Sequence, residues 1–191
     1  MPETNKSLEF LEIYTSGGLK TGKKELKSLI HKKGLFHSTV HIWIFSEKGN
    51  VLIQKRSTKK KINPGIWDVS VAGHIKFNED IKAAAIRETL EETGICIKEK
   101  DLFKLGIYRS VSNYPLIVDK EFHHTYVLKI DEVKINLNYK NDEVDDLKLI
   151  SLEEMDSILN QNKRDIFIGK NKNYYKDVFE AISKITKNNY Q

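Results

Sequence analysis

Residues 73–95 read GHIKFNEDIKAAAIRETLEETGI, and this stretch decides the fold. Asn78 supplies an N-cap for a helix over Glu79–Thr93, acidic residues occupy its first turn, and Gly94 ends it. Glu88, Glu91 and Glu92 stand at i, i+3 and i+4, a spacing that puts three carboxylates on one helix face. Ala83, Ile86 and Leu90 fall on roughly the opposite face and are expected to anchor the helix to a core. Like charges so arranged repel by roughly a few tenths of a kcal/mol per pair, and a bound cation removes that penalty. Hard oxygen donors favour Mg2+ or Mn2+, ions that commonly sit between carboxylates and phosphates. For the three glutamates taken alone, the simpler alternative is a solvated acidic face with Arg87 paired to Glu91.

Outward from this helix the chain alternates strand and turn signals. Leu8–Tyr14 alternates apolar and polar residues as a half-buried strand does, and Gly17 and Gly18 mark a turn. Lys24–Lys33 reads as a short helix ended by Gly34. Thr39–Phe45 is a strand rich in β-branched and aromatic residues, and Val51–Lys55 is its hairpin partner across the turn Glu47–Asn50. Lys59–Pro64 is a polar loop and Ile66–Ala72 another strand. Beyond the helix, strands are expected near Leu102–Tyr108, Glu121–Ile130 and Val144–Ile150, then a helix from a Ser151 cap through Leu159. In the tail, Tyr175, Val178, Phe179, Ile182 and Ile185 form one helical stripe, read as core packing with a dimer contact as the alternative. Strands on both sides of a buried helix indicate an α/β domain with a mixed sheet.

The whole-chain numbers agree with a metabolite-sized partner. The 191 residues are most simply one domain, spanning 1–191, and 39% hydrophobic residues can build its core. The net charge of +5 suits a phosphate-bearing small molecule and is too small to argue for nucleic acid. The single cysteine, Cys96, cannot form an intramolecular disulfide. Met1–Phe10 has no apolar leader, and no apolar stretch suggests a membrane span, so a soluble, cytoplasmic protein is expected.

The full pattern is more specific than its glutamates. Gly73, five residues, Glu79, seven residues, then Arg87-Glu88-Thr89-Leu90-Glu91-Glu92-Thr93-Gly94-Ile95 resembles the Nudix box at every fixed polar and glycine position, Thr89 standing where a hydrophobic residue is usual. The resemblance implies an α/β/α sandwich with a mixed sheet and hydrolysis of a diphosphate linkage. It implies that Glu88, Glu91 and Glu92, with the Gly73 carbonyl, hold Mg2+ or Mn2+, that Arg87 orients the glutamates, and that Glu79 braces the loop before the helix. Such a metal neutralises the diphosphate and helps ionise a water, whose proton a carboxylate takes.

The flanks look like the Nudix branch close to type I isopentenyl diphosphate isomerase. This looser likeness runs through His31–Trp43, Gln54–Lys61, Pro64–Trp67, Ala72-Gly73-His74 and Asp119-Lys120-Glu121. It implies a second metal site at His37, His74 and Glu121, with His31 and Asp119 less securely aligned, and a donor set suited to a transition metal. Glu121 doubles as a candidate base. Arg56 and Lys60 match diphosphate-holding positions, whereas Lys59 and Lys61 read as solvated, and His41, His123 and His124 as structural. Trp67 and Phe77 stack on a base, line an apolar slot, or simply pack. Where the isomerase has an acid–base cysteine before Gly-His, this chain has Ala72, and a methyl group cannot transfer a proton. Metal-dependent hydrolysis of a nucleoside diphosphate derivative or an isoprenoid diphosphate is therefore expected, with an isomerase-like enzyme or a non-catalytic nucleotide-binding module as alternatives. No nucleic-acid or membrane partner is expected; a homodimer is an open option.

Overall fold

The structure is a computed structural model and describes residues 8–160, 166–168 and 172–187. The start of the chain, read above as carrying no leader, lies outside these through residue 7. Among the described residues nine strands form one sheet. Its centre is β3 (Phe36–Ser46), buried at every position because strands flank both its edges and helices cover both its faces. Strand alternation assigns those faces: Val40, Ile42 and Ile44 join one apolar cluster, Trp43 and Phe45 the other. Along one edge β8 (Ile117–Ile130) runs parallel to β3, from Phe36↔Lys120 to Ser46↔Ile130. The other edge is shared. There β1 (Phe10–Tyr14) meets β3 at Phe36, β6 (Val71–His74) pairs with residues 39–42, and β4 (Val51–Arg56) joins at Phe45.

The remaining strands extend this frame: β2 (Lys20–Leu26) pairs with β1, β5 (Trp67–Asp68) and β9 (Val144–Ile150) with β4, and β7 (Phe103–Tyr114) with β8. The helix α1 (Lys27–Lys33) leads into β3 and ends at Gly34, which adopts the left-handed conformation with φ 60°. The glutamate helix α2 (Ile81–Thr93) covers the first face, and α3 (Leu152–Asn160) and α4 (Lys172–Lys187) cover the second. This is the mixed-sheet α/β/α sandwich that the sequence implied. β9 occupies the expected residues, and Ser151 caps α3 by accepting the Glu154 N–H at 3.1 Å.

Several local expectations are corrected. The helix expected over Lys24–Lys33 begins at Lys27, because Lys24, Glu25 and Leu26 are drawn into a hairpin with Glu12, Leu11 and Phe10. The strand expected over Ile66–Ala72 is two short strands, β5 and β6. Between them Ser70 Oγ accepts the Ile44 N–H and donates to the Leu52 carbonyl, bridging β3 and β4. β7 and β8 run longer than expected and meet in a tight turn at Tyr114–Ile117. The cap of α2 is Asp80, whose Oδ1 accepts the N–H groups of Lys82 and Ala83 at 2.9 and 3.0 Å. Asn78, the expected cap, sits in the preceding turn at φ 62°.

The anchor face of α2 also differs. Ala83 and Leu90 are exposed, and the buried residues are Ala84, Ala85, Glu88, Thr89, Glu92 and Thr93. Two of the site carboxylates face the sheet themselves, so the helix docks through small neighbours and approaches the strands closely. Thr89 and Thr93 return their hydroxyls to the carbonyls of Ala85 and Thr89, which lets both pack as small residues. In α4, Tyr175, Val178 and Ile182 are buried and Phe179 and Ile185 pack beside them, as core packing requires; Tyr174, outside the expected stripe, is buried as well.

Candidate active site

Arg87 organises the glutamate helix. Its Nε and Nη2 donate to the two oxygens of Glu79 at 2.7 and 2.8 Å, a bidentate pair. Nη1 donates to Glu88 Oε1 at 2.6 Å and Glu91 Oε2 at 3.0 Å, and Nη2 also reaches the His74 carbonyl at 3.0 Å. Burial disfavours the cation, but Glu79 and Glu88 outweigh it and hold Arg87 protonated. Glu79 Oε2 accepts the Lys76 N–H at 2.9 Å, tying the loop before α2 to the guanidinium. For Glu79, burial opposes ionisation, yet Arg87 and this N–H leave the carboxyl below its ordinary range.

Glu88 and Glu92 are different. Both are buried, and desolvation pushes both upward, Glu92 to about 8 with further help from nearby Glu88. Glu88 presses on Gly73: a Cβ there would stand 2.0 Å from Glu88 Cδ, so only glycine admits this approach. Glu92 fills the split in the sheet between β4 and β6. Its Oε2 accepts the Ala72 N–H at 2.8 Å and the Gln54 side-chain amide at 2.7 Å, doing the work of missing strand hydrogen bonds. Glu91 is half exposed. The sequence-predicted Gly73, Glu79, Arg87, Glu88, Glu91 and Glu92 thus stand together, linked through Arg87 or through burial beside one another.

The two basic candidates lie at the end of β4. Arg56 donates to the Ile62 carbonyl at 3.3–3.4 Å and lies 3.5 Å from Asp68 Oδ2. Lys60 Nζ lies 2.5 Å from Glu143 Oε2, and Lys60 also lowers the carboxyl of Glu92 electrostatically. Glu143 was missed in the sequence. It precedes β9, whose pairing of Val144 with Arg56 brings it across from the basic loop, and it acts on Glu88 as a like charge. The available signal was complementary charge, Asp142-Glu143 against Lys59-Lys60. Trp67 packs into the second core cluster, and Phe77 lies under Lys24, whose Nζ is 5.3 Å from the ring centre.

On the opposite face of the sheet a second group assembles. His37 from β3, His74 from β6 and Glu121 from β8 converge as expected, joined by His31 from α1 and by Asp119. Ligand atoms of His31, His37 and His74 lie within 4.8 Å of one another, as do those of His37, Asp119 and Glu121. His37 Nε2 is 3.6 Å from Glu121 Oε1 and 3.8 Å from Asp119 Oδ1; His31 Nε2 is 3.5 Å from Asp119 Oδ1. These are ion-pair distances, too long for hydrogen bonds, and the buried Nε2 atoms of His37 and His74 have no hydrogen-bond partner. Burial drives His31 down to about 4 and His74 well below the ordinary range; in His37 burial is overcome by Glu121 and Asp119, and the imidazole is raised. Ala72, beside His74, contributes only its methyl group to this face. His41 and His123 are buried deeper along the same face and stack on each other. His124 is buried on the other side of β8.

Residues 35–168 match the family model described as NUDIX domain. An uncharacterized Nudix hydrolase of Clostridium acetobutylicum is 33% identical, the match covering 83% of this chain and 78% of that protein. A protein of Photorhabdus laumondii named isopentenyl-diphosphate Delta-isomerase 2 is 35% identical over 74% of this chain and 76% of its own length. A crystal structure from Deinococcus radiodurans superposes with a TM-score of 0.65 over 92% of this chain and 98% of that one, at 16% identity, a likeness of fold alone. No helix among the described residues is long and apolar enough to cross a membrane.

Proposed function

The chain belongs to the NUDIX domain family, whose hydrolases act on pyrophosphate bonds, and from that premise we propose that it hydrolyses the diphosphate linkage of a small molecule with a divalent cation held by Glu88, Glu91, Glu92 and the Gly73 carbonyl. The observation that carries this reading is the pairing of two buried carboxylates, Glu88 and Glu92, each pushed upward by desolvation, with Glu88 seated against Gly73, whose missing side chain leaves it room. Buried like charges of this kind are costly without a counter-ion, and an all-oxygen donor set fits Mg2+ or Mn2+. When bound, the ion would supply positive charge to the diphosphate and lower the pKa of a water, so that hydroxide is available as nucleophile near neutral pH.

The chain's own residues supply the rest. Arg87 fixes the rotamers of Glu88 and Glu91, holds the end of β6 beside Gly73 through the His74 carbonyl, and through Glu79 ties down the loop that follows. Arg56 and Lys60 hold the substrate's phosphate oxygens, Lys60 exchanging Glu143 for the phosphate. A carboxylate of the glutamate group takes the proton of the attacking water, whereas Glu121, the other candidate base, stands with the histidines on the opposite face of the sheet and belongs to the second centre.

His31, His37, His74, Asp119 and Glu121 favour a second centre. Three imidazoles and two carboxylates suit a transition metal better than magnesium, and two buried Nε2 atoms without a hydrogen-bond partner fit that role. This centre makes an isoprenoid diphosphate a substrate candidate beside nucleoside diphosphate derivatives. Ala72 argues against isomerisation, since no proton-carrying group stands there.

The test is product release from a panel of both substrate classes, with and without Mg2+ or Mn2+. Metal-dependent cleavage of any member supports the hydrolase, and the best substrate identifies the side group. Metal binding by the folded protein without cleavage across the panel would favour a binding module instead.

A further inference from the structure

A buried polar column runs from the histidine–carboxylate group to the carboxy-terminal helix. Glu121 Oε2 lies 3.7 Å from His123 Nδ1, which is 2.9 Å from Thr39 Oγ1. The His123 ring stacks on His41, with centroids 3.9 Å apart and planes inclined by 22°. His41 Nδ1 is 2.9 Å from the Tyr174 hydroxyl of α4, and Trp43 Nε1 donates to the same hydroxyl at 2.8 Å. Next to it Tyr108 OH donates to Asp177 Oδ2, also on α4, at 2.7 Å. Thr39, His41, Trp43, His123 and Tyr174 are each at most 3% exposed.

An indole N–H only donates, so Trp43 uses the Tyr174 oxygen as acceptor, and the same hydroxyl is shared with His41 Nδ1 and Thr125. His41 is held by this contact in one ring orientation, with His123 laid flat against it. The column stands inside an apolar cluster of Trp43, Val127, Val178, Ile182 and neighbours, where hydrocarbon side chains would dock the helix without burying polar groups.

We propose that His41 and Tyr174 are positioning residues for the second metal centre, fixing His123 and through it Glu121, so that the docking of α4 sets the geometry of the histidine–carboxylate group. This rests on the reading of that group as a metal site. Fixed outer partners commonly tune a site's metal affinity by about 10–100-fold.

Co2+ titration of the full chain, read by visible absorption, tests this. Tyr174→Phe keeps the ring and removes the hydroxyl. Tyr175→Phe is the control: its hydroxyl, one residue along the same helix, donates to the Ile168 carbonyl at 2.8 Å. The expected result is that Tyr174→Phe weakens Co2+ binding by about 10-fold, the low end for partners that touch a ligand directly, and alters its spectrum, whereas Tyr175→Phe lowers thermal stability and leaves both unchanged. A Tyr174→Phe protein that melts earlier yet binds Co2+ with wild-type affinity and spectrum would overturn the positioning role and leave the metal reading intact. A wild-type Co2+ spectrum that survives His37→Ala and Glu121→Gln would overturn the metal reading and the proposal with it.

Discussion

At the residue scale Glu92 carries two duties. One oxygen takes two hydrogen bonds across the split in the sheet, and the carboxylate is buried beside Glu88. Glu92→Gln keeps the shape, so the folded structure is expected to persist while turnover falls by at least about a hundredfold, measured as kcat at saturating Mg2+. The raised carboxyl also sets a pH dependence for the metal-free protein. A group raised from 4.5 to about 8 on folding favours the folded state fully below pH 4.5, and this contribution is lost as pH rises toward 8. Buried His31 and His74, whose imidazoles are lowered, act in the opposite direction as pH rises, so the readout is the difference between wild type and Glu92→Gln: without divalent ions, the wild-type melting temperature is expected to fall relative to the variant between those limits. A difference that stays constant through that window would show that Glu92 is ionised even without metal.

At the scale of elements, the closeness of α2 to β6 depends on what Gly73 lacks. Gly73→Ala forces its Cβ into Glu88, a buried side chain tied to Arg87 with little room to withdraw. The expected cost is about 1–3 kcal/mol of stability, with turnover reduced further than the folded fraction explains. Denaturant unfolding and kcat on the same preparation separate the two effects. The box made α2 and the relative placing of its glutamates legible from spacing alone. Its cap and its anchor face were not, because a helix wheel treats carboxylates as outward-facing, whereas here Glu88 and Glu92 point at the sheet. Lys24–Leu26 was likewise read as helix because local propensity carries no knowledge of the distant partner, Phe10–Glu12, that pairs with it. Glu143 and Asp119 come beside the rest only through long-range pairing, of β9 with β4 and of β8 with β3 and β7, which no local pattern encodes.

Across the whole molecule, the two clusters lie on opposite faces of one sheet: the glutamates toward α2, the histidines toward α4. They are expected to be separable. Glu92→Gln should abolish Mg2+-dependent cleavage and leave the Co2+ spectrum of the histidine centre in place, whereas His37→Ala should do the reverse to the spectrum. A loss of both signals in either single variant would mean that the two form one binuclear site. β3 and β6 link them, with Gly73 against Glu88 on one side and its neighbour His74 in the histidine group on the other.

The seam closed by Glu92 has a consequence for descent. A lineage that gave up chemistry could not discard this side chain freely, since alanine would leave the Ala72 N–H and the Gln54 amide facing an empty gap. Glutamine keeps an oxygen for both and loses only the charge. Descendants turned to sensing or scaffolding should therefore arrive by way of Gln at this position, or recruit a new strand to mend the gap. A census of inactive paralogues would record which route was taken.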